Sequence, residues 1–236
     1  MKRFILCLAA LATFGLGQAN AQYIKGSGKQ VQEERFVSTF TKVSVQDGID
    51  AYIRQGNAID IKVKADQNII DRIITKVEGN TLVVKMEKNT RYRGNLQQEV
   101  YITLTDLEAL MSSGGSDVET EALNVEELIV KSSGGSDINL DVRAERLSLS
   151  SSGGSDLNVK GSAKMLEVST SGGSDLNARG LKATDCKIST SGGSDATIYV
   201  TGKLSMTASG ASDITYTGSP QIVSSRSSGA ADISGN

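Results

Sequence analysis

Apolar and polar residues alternate with a period of two through most of the second half of the chain. The pattern is clearest after a recurring segment, SGGSD, where the first and third following residues are apolar and the second is polar. In "SGGSDLNVK", Leu157 and Val159 flank Asn158. A period of two is typical of a β-strand with one buried face. We therefore predict that a short strand follows each copy of the segment.

A second alternating stretch precedes the next copy of SGGSD. Its apolar pairs predict another short strand in every repeat, so that each repeat has two strands, a glycine corner and a polar turn. These pairs are Leu128/Val130, Leu147/Leu149, Leu166/Val168, Cys186/Ile188 and Leu204/Met206.

The repeats are evenly spaced. The aspartates that close them follow one another at intervals of 20, 19, 19, 20, 18 and 19 residues. Such a period indicates a solenoid, in which each repeat buries its apolar face against its neighbours. We predict an all-β fold, a single-stranded parallel β-helix with rungs of about 19 residues stacked about 4.8 Å apart. The aspartates are Asp117, Asp137, Asp156, Asp175, Asp195, Asp213 and Asp232.

The glycine pairs of the repeats have a structural explanation. A sharp corner between strands needs backbone conformations that are open to glycine and costly for residues with a Cβ. We expect the corners at Gly114, Gly115, Gly134, Gly135, Gly153, Gly154, Gly172, Gly173, Gly192 and Gly193.

Residues 31–112 are also rich in alternating stretches, but they contain no exact repeat. They predict a less regular β-rich part that continues or caps the solenoid, with one or two helical turns within 67–73. The predicted organisation is a signal peptide at 1–21, a flexible segment at 22–30, the irregular part at 31–112 and the SGGSD-repeat β-helix at 113–236.

The first residues have the character of an export signal. Lys2 and Arg3 precede a short apolar run, and Ala19-Asn20-Ala21 offers a cleavage site of the A-x-A type. The run is shorter than the roughly 20 residues of a membrane-spanning helix, and no second apolar run follows it. We expect export to the periplasm or the cell surface, with no transmembrane segment after cleavage.

Composition excludes several kinds of function. The chain has no histidine and no tryptophan, so catalytic Ser-His-Asp triads and histidine-ligated metals are excluded. Removing Lys2 and Arg3 changes the formal charge from 25 − 27 = −2 to 23 − 27 = −4. No basic stripe is present, which argues against nucleic acid as a partner. Cys186 takes an inward position in the repeat, and a small buried residue is a better interpretation than a reactive thiol.

Several stretches resemble one bacterial family. They are "FTKVSVQDGIDAYIRQG", "AIDIKVKAD", "NTLVVKM" and "EVYITLTDLEALMSSGGSDV", followed by the serial SGGSD segments. Together they are similar to the auto-transporter adhesin family known as the head GIN domain, over roughly residues 31–236. The family's Gly-Ile-Asn is Gly48-Ile49-Asp50 in this chain. The resemblance implies an exported β-helical, adhesin-like domain, and it brings no catalytic residues.

The repeated aspartates are predicted to face outward together with the residues two positions after them. Carboxylates one rung apart repel by roughly 1 kcal/mol in water. Ca²⁺ bridging carboxylate and amide oxygens would relieve this repulsion. Alternatively, each aspartate accepts hydrogen bonds from backbone N–H groups at its corner. The candidate ligand- or metal-binding residues are Asp117, Asp137, Asp156, Asp175, Asp195, Asp213, Asn139, Asn158 and Asn177.

Three functions remain open at this point. The leading one is a non-catalytic envelope or surface protein, without a required cofactor, whose polar faces bind an envelope or host glycan or protein. A polysaccharide-acting β-helix enzyme needs carboxylates in different environments, whereas these look equivalent. A Ca²⁺-binding structural repeat protein is the third. The tyrosines are scattered at different offsets or in the irregular part, so the sequence predicts no dedicated aromatic groove.

Overall fold

The chain forms the predicted all-β parallel β-helix in the computed structural model, which describes residues 23–88, 91–93 and 96–236. The predicted signal peptide at 1–21 lies outside the described residues. The elements are β1 (Tyr23–Lys25), β2 (Gln30–Glu34), β3 (Lys42–Val45), β4 (Asp50–Gln55), β5 (Asp60–Asp66), the 3₁₀ helix η1 (Ile70–Arg72), β6 (Ile73–Glu78), β7 (Thr81–Met86), β8 (Arg91–Arg93), β9 (Gln98–Leu104), β10 (Ala109–Ser113), β11 (Val118–Thr120), β12 (Leu123–Ser133), β13 (Ile138–Gly153), β14 (Leu157–Gly172), β15 (Leu176–Gly192), β16 (Asp195–Val200), β17 (Lys203–Gly210), β18 (Asp213–Gly218), β19 (Gln221–Gly229) and β20 (Asp232–Gly235).

Successive rungs pair in parallel with equivalent residues in register. Leu147 pairs with Leu166, which pairs with Cys186, which in turn pairs with Leu204. All four are buried, and the same inward positions supply the core along the repeat region. The predicted alternation of inward and outward side chains is confirmed, since Ile138 and Leu140 are buried while Asn139 between them is exposed.

The strands of the middle rungs are longer than predicted. We expected two short strands separated by a polar turn, but β13, β14 and β15 run without a break for 16, 16 and 17 residues. The ladder between β13 and β14 continues through the turn region, where Val142 pairs with Gly161. Gly161 permits this because its φ is 116° and a Cβ there would lie 2.0 Å from the Val142 carbonyl oxygen.

The β-helix extends into the irregular N-terminal part. β3 and β4 pair in parallel with β10 and β11, and β7 and β9 pair in parallel with β3 and β4. Beyond them, β6, β5 and β2 pair antiparallel and cover that end of the stack. η1 lies within the predicted helical stretch 67–73. The segment 22–30, predicted to be flexible, contains β1, which pairs with β8.

The two glycines of a corner differ in backbone conformation and in the space available for a Cβ. At the first two corners both glycines have positive φ, from 70° at Gly134 to 79° at Gly135. At the next three corners only the first glycine does, with φ of 82° or 83°. A Cβ on Gly192 would approach the Gly172 carbonyl oxygen to 2.7 Å, so the first glycines form a closely packed column. The second position accepts alanine in the last two corners, at Ala211 and Ala230.

A column of buried serines completes the first six corners, whereas the last corner has Ala231 before Asp232. The serine before each of the other aspartates is fully buried, and Ser174, Ser194 and Ser212 donate to the carbonyl three residues earlier at 2.9–3.0 Å. Buried hydroxyls are costly unless they are hydrogen-bonded. In every SGGSD segment the first glycine is needed for its positive φ, in the first two the second glycine is needed as well, and the second serine is buried inside the bend.

Candidate functional site

One surface of the β-helix carries most of the candidate residues, and we call it the ladder face. It is the outer surface of the strands that follow the corners, in the spatial order β2, β5, β9, β4, β11, β13, β14, β15, β16, β18 and β20. The predicted aspartates and asparagines all project from it and are exposed. Parallel register places them in two neighbouring columns, with rungs about 4.8 Å apart.

The column of repeated aspartates, here called the acidic column, begins two rungs earlier than the repeat predicted. Pairing of Ala51 with Val118 places Asp50 at the rung before Asp117, and Asp50 itself pairs with Glu99. Asp47-Gly48 forms the corresponding corner, with φ of 65° and 74°. The Ser116 hydroxyl accepts the N–H groups of Gly48 and Ile49 at 3.1 Å. The Gly-Ile-Asp sequence is therefore a divergent copy of the repeated corner.

The aspartate carboxylates have backbone partners within the column. The Asp137 N–H donates to the Asp117 carboxylate at 3.3 Å, and the Asp156 N–H donates to Asp137 at the same distance. The Asp232 N–H donates to Asp213 at 3.2 Å. Among the described residues, no three carboxylate or thiol groups converge in an arrangement that could hold a metal ion. These donors belong to the next rung and not to the aspartate's own corner, and both the corner role of the aspartates and the Ca²⁺ site remain predictions.

The first two carboxylates of the column differ in their electrostatic environments. Burial and the neighbouring Asp117 carboxylate raise the pKa of Asp50. Burial would also raise the pKa of Glu99, but hydrogen bonds from Tyr101 and Lys64 lower it below its usual value. Lys64 lies 3.1 Å from the Glu99 carboxylate, and the Tyr101 hydroxyl donates to it at 2.5 Å. Glu99 is thus held as an anion by two donors.

The asparagines form the floor of a groove. Asn139 pairs with Asn158, which pairs with Asn177, and the Asn177 amide donates to the Asn158 amide oxygen at 3.4 Å. The groove has a volume of about 380 Å³, and we call it the asparagine groove. It is lined by Glu119, Thr120, Asn139, Leu140, Asp141, Asn158, Val159, Lys160, Asn177 and Gly180.

Two tyrosines continue the asparagine column toward the N-terminal end. Tyr52 pairs with Tyr101, and their rings stack with centroids 5.0 Å apart and planes 17° apart. The prediction that no aromatic groove exists was wrong, because both rings line a groove of about 480 Å³, here called the tyrosine groove. The other lining residues are Gln32, Ile53, Arg54, Asp60, Lys62, Ile102, Thr103, Glu119, Thr120 and Glu121.

Both tyrosines are neutral hydrogen-bonding groups at physiological pH. The hydrogen bond to Glu99, together with burial, raises the pKa of Tyr101 to about 12. Burial and the nearby Glu99 carboxylate raise the pKa of Tyr52 as well. Their phenols can donate hydrogen bonds, but they do not supply a phenolate for acid–base or nucleophilic chemistry at neutral pH.

A sequence signal for the tyrosine pair exists in retrospect. "DAYIR" at 50–54 and "EVYIT" at 99–103 share an acidic residue, an apolar residue, tyrosine and isoleucine in the same order. The two copies are 49 residues apart, and strands β5, β6, β7 and β8 intervene. The period of about 19 residues does not relate them, so the repeat does not predict the pair.

The two grooves adjoin and share Glu119 and Thr120. Two ion pairs lie inside them, with Lys62 2.8 Å from Asp60 and Lys160 3.4 Å from Asp141, while Arg54 donates to the Thr103 hydroxyl at 2.9 Å. The exposed aspartate column runs alongside, so the ladder face as a whole is acidic. Small polar, amide and aromatic side chains over many rungs are suited to hydrogen bonding and stacking with an extended ligand.

No helix within the described residues has the length and apolar character needed to cross a membrane. Cys186 is buried as predicted, and burial raises the pKa of its thiol to about 12. The thiol is therefore protonated and shielded at physiological pH, as expected for a structural residue.

Comparison with known proteins identifies relatives of this fold. A crystal structure of a putative adhesin from Bacteroides fragilis NCTC 9343 has a TM-score of 0.85 and 25% identity, and the match covers 90% of this chain and 100% of that one. A putative adhesin from Parabacteroides distasonis ATCC 8503 matches with a TM-score of 0.75 and 20% identity, over 90% and 100% of the two chains. A putative lipid binding protein from the same strain matches with a TM-score of 0.74 and 19% identity, over 91% and 100%.

A search among curated proteins finds no match. The family model described as "Putative auto-transporter adhesin, head GIN domain" matches residues 39–220, which is most of the chain. This range includes the Gly-Ile-Asp corner, both tyrosines and the SGGSD repeats up to Asp213. The chain belongs to the head GIN domain family of auto-transporter adhesins.

Proposed function

We propose that this protein is an exported, non-catalytic binding module of the cell envelope or cell surface, which holds its ligand on the ladder face. The observation that carries the proposal is the continuity of two adjoining grooves, which run over neighbouring rungs and present tyrosine and asparagine side chains in register. Many equivalent weak contacts along one surface give affinity without a deep pocket. The adhesin family supports a role in attachment.

The ladder face provides little support for catalysis. Asp50 and Glu99 are neighbouring carboxylates with pKa values shifted in opposite directions, which is the arrangement that an acid–base pair requires. However, Glu99 is already bound by Lys64 and Tyr101, and neither carboxylate lines either groove. These contacts favour a structural role for the pair at the start of the acidic column.

A binding assay with matched variants tests the proposal. The purified protein would be labelled and titrated onto isolated bacterial envelopes and immobilised mucin. One variant replaces Asn139, Asn158 and Asn177 with alanine, and the control replaces Ser150, Ser169 and Ser189, which form an equivalent column on the strand segments that precede the corners. We expect saturable binding that the asparagine variant loses and the serine variant keeps. Equal binding by both variants, or no saturable binding at all, would contradict the proposal.

Export is tested separately, by fractionating bacteria that express the tagged full-length chain. We expect the protein outside the cytoplasm and shortened after Ala21, as mass spectrometry of the mature N-terminus would show. Retention of an uncleaved chain in the cytoplasm would exclude an exported role. This result does not depend on the identity of the ligand.

A further inference from the structure

The tyrosine pair leaves one aromatic ring face open toward the asparagine column. Tyr52 stacks on Tyr101 through one face of its ring, at a centroid distance of 5.0 Å. Its other face is directed along the helix axis toward the next rung, where Glu119 occupies the equivalent position. Tyr52 is 38% exposed, and Glu119 is exposed as well. The tyrosines therefore form a raised aromatic step beside shorter side chains.

The space beyond this step suits a single six-membered ring. Glu119 and Asn139 lie one and two rungs from Tyr52, or about 4.8 Å and 10 Å along the axis. A ring stacked on the open face of Tyr52 would stand over the Glu119 rung. There the Glu119 carboxylate could accept hydrogen bonds from its substituents. The Asn139 amide could both donate hydrogen bonds to them and accept hydrogen bonds from them.

The rest of the groove continues the same chemistry. Asn158 and Asn177 repeat the amide at each rung, so an extended ligand meets identical donors and acceptors every 4.8 Å or so. A ligand with many hydroxyl groups and apolar ring faces satisfies both the amides and the tyrosine. A peptide in extended form would offer fewer hydroxyls to this floor and no ring face for Tyr52 at every register.

The negative charge of the ladder face favours neutral ligands over anionic ones. Glu119 lies in both grooves, and the exposed column of Asp117, Asp137, Asp156 and Asp175 runs beside the floor. The basic groups of the two grooves already have partners: Lys160 is paired with Asp141, Lys62 with Asp60, and Arg54 donates to the Thr103 hydroxyl. An anionic ligand would meet repulsion from this surface, whereas a neutral one would meet polar groups that can bond to it.

We infer that the ladder face binds a neutral glycan chain along the helix axis, with one sugar ring stacked on the open face of Tyr52 and held by Glu119, and the following sugars bonded to Asn139, Asn158 and Asn177. This inference rests on the proposed function and specifies its ligand class. The tyrosine step is the specific element, and the asparagine floor supplies repeated contacts.

Titration calorimetry with defined oligosaccharides tests the inference. The probes are neutral hexasaccharides of glucose, mannose and galactose, and oligogalacturonate of the same length. We expect at least one neutral probe to bind and the acidic probe to bind more weakly. Replacing Tyr52 with alanine removes the stacking surface and should weaken binding about threefold to tenfold or more. Glu119→Ala should weaken the same probe.

Two controls distinguish the possible failures. Tyr23→Ala removes an exposed tyrosine from β1, away from the ladder face, and should leave glycan affinity unchanged. Circular dichroism of the Tyr52 and Glu119 variants should match that of the parent protein. Absence of binding to every neutral probe, tighter binding of the acidic probe, or equal losses for Tyr52→Ala and Tyr23→Ala would overturn the inference. Envelope binding that still depends on the asparagines would leave the proposed function standing with another ligand class.

Discussion

The two glycines of a corner have different structural requirements. In the fifth corner, Gly192 has a φ of 83°, and a Cβ there would lie 2.7 Å from the Gly172 carbonyl oxygen. Gly193 has no positive φ, and a Cβ there would lie 3.8 Å from the same oxygen, an ordinary contact distance. Ala211 occupies the second position naturally in the next corner. In this fifth corner, conformation and space both restrict only the first glycine.

We therefore predict opposite outcomes for two neighbouring substitutions. Gly192→Ala adds a left-handed backbone cost of about 1–2 kcal/mol and a steric clash, so the loss should exceed about 2 kcal/mol. For a protein of this size that lowers Tm by about 4–8 °C. Gly193→Ala should change stability by no more than about 0.5 kcal/mol. Thermal unfolding followed by circular dichroism measures both, and equal effects would refute this assignment of roles.

Asp50 is a second residue whose role can be tested by pH. Because burial and the Asp117 carboxylate raise its folded pKa above the ordinary 3.8, its ionised form is less stable in the folded protein than in the unfolded chain. Stability from this group therefore increases as the pH falls through the folded pKa toward 3.8, and it is lost at neutral pH. Asparagine, the residue that the family's motif has here, removes the charge and keeps an acceptor.

The corresponding prediction is that Asp50→Asn raises Tm at pH 7. The difference from the parent protein should shrink as the pH approaches 3.8, where the parent carboxyl becomes protonated as well. Asp213→Asn, near the other end of the column, serves as a control on the same face. A lower Tm for Asp50→Asn at pH 7, or a benefit that grows in acid, would show that the carboxylate stabilises the fold.

At the scale of the element, the rung is an interchangeable unit. The ladder pairs β13 with β14 and β14 with β15, with an inward residue opposite each inward residue. Stability in such repeat folds is approximately a sum over units and their interfaces. Removal of a complete rung leaves the same side chains facing inward in every following strand. Removal of a partial rung places different residues at the inward positions.

Deleting 157–175 joins Asp156 to Leu176 and removes one complete rung, so we expect a folded protein with cooperative unfolding and a reduced Tm. Deleting 157–166 instead joins Asp156 to Glu167 and places a carboxylate in the inward position of Leu157. That protein should be insoluble or unfolded. Solubility and circular dichroism compare the two, and a well-folded product of the second deletion would contradict the rung as the unit.

The sequence predicted the repeated elements well and the N-terminal elements less well. Within 113–236, period-two alternation and the aspartate spacing identified the inward positions correctly, from Val118 to Ile214. The continuous strands were missed because the inward position between the two predicted strands is not consistently apolar: Val142 and Leu181 are buried there, but Gly161 occupies that position in the rung between them. The Tyr52–Tyr101 contact was missed because it joins β4 to β9 across four intervening strands. Only pairing between distant strands, not local pattern, creates the tyrosine groove.

At the scale of the whole molecule, the acidic column raises the question of a bound cation. Backbone N–H donors already meet the carboxylates of Asp117, Asp137 and Asp213. We expect the same Tm, within about 1 °C, in EDTA and in millimolar CaCl₂. A rise of several degrees in CaCl₂ that disappears in the Asp137/Asp156/Asp175→Asn variant would instead establish a calcium site.

The parallel stacking of rungs also has a mechanical consequence. The hydrogen bonds between β13, β14 and β15 are directed along the long axis, while the strands themselves lie across it. A tensile load parallel to the axis is shared by all the hydrogen bonds of a rung, whereas a load that peels one strand edge breaks them one after another. A ligand lying along the ladder face would apply its load in the first of these ways, so the stack of rungs should stay folded under a pull along its axis.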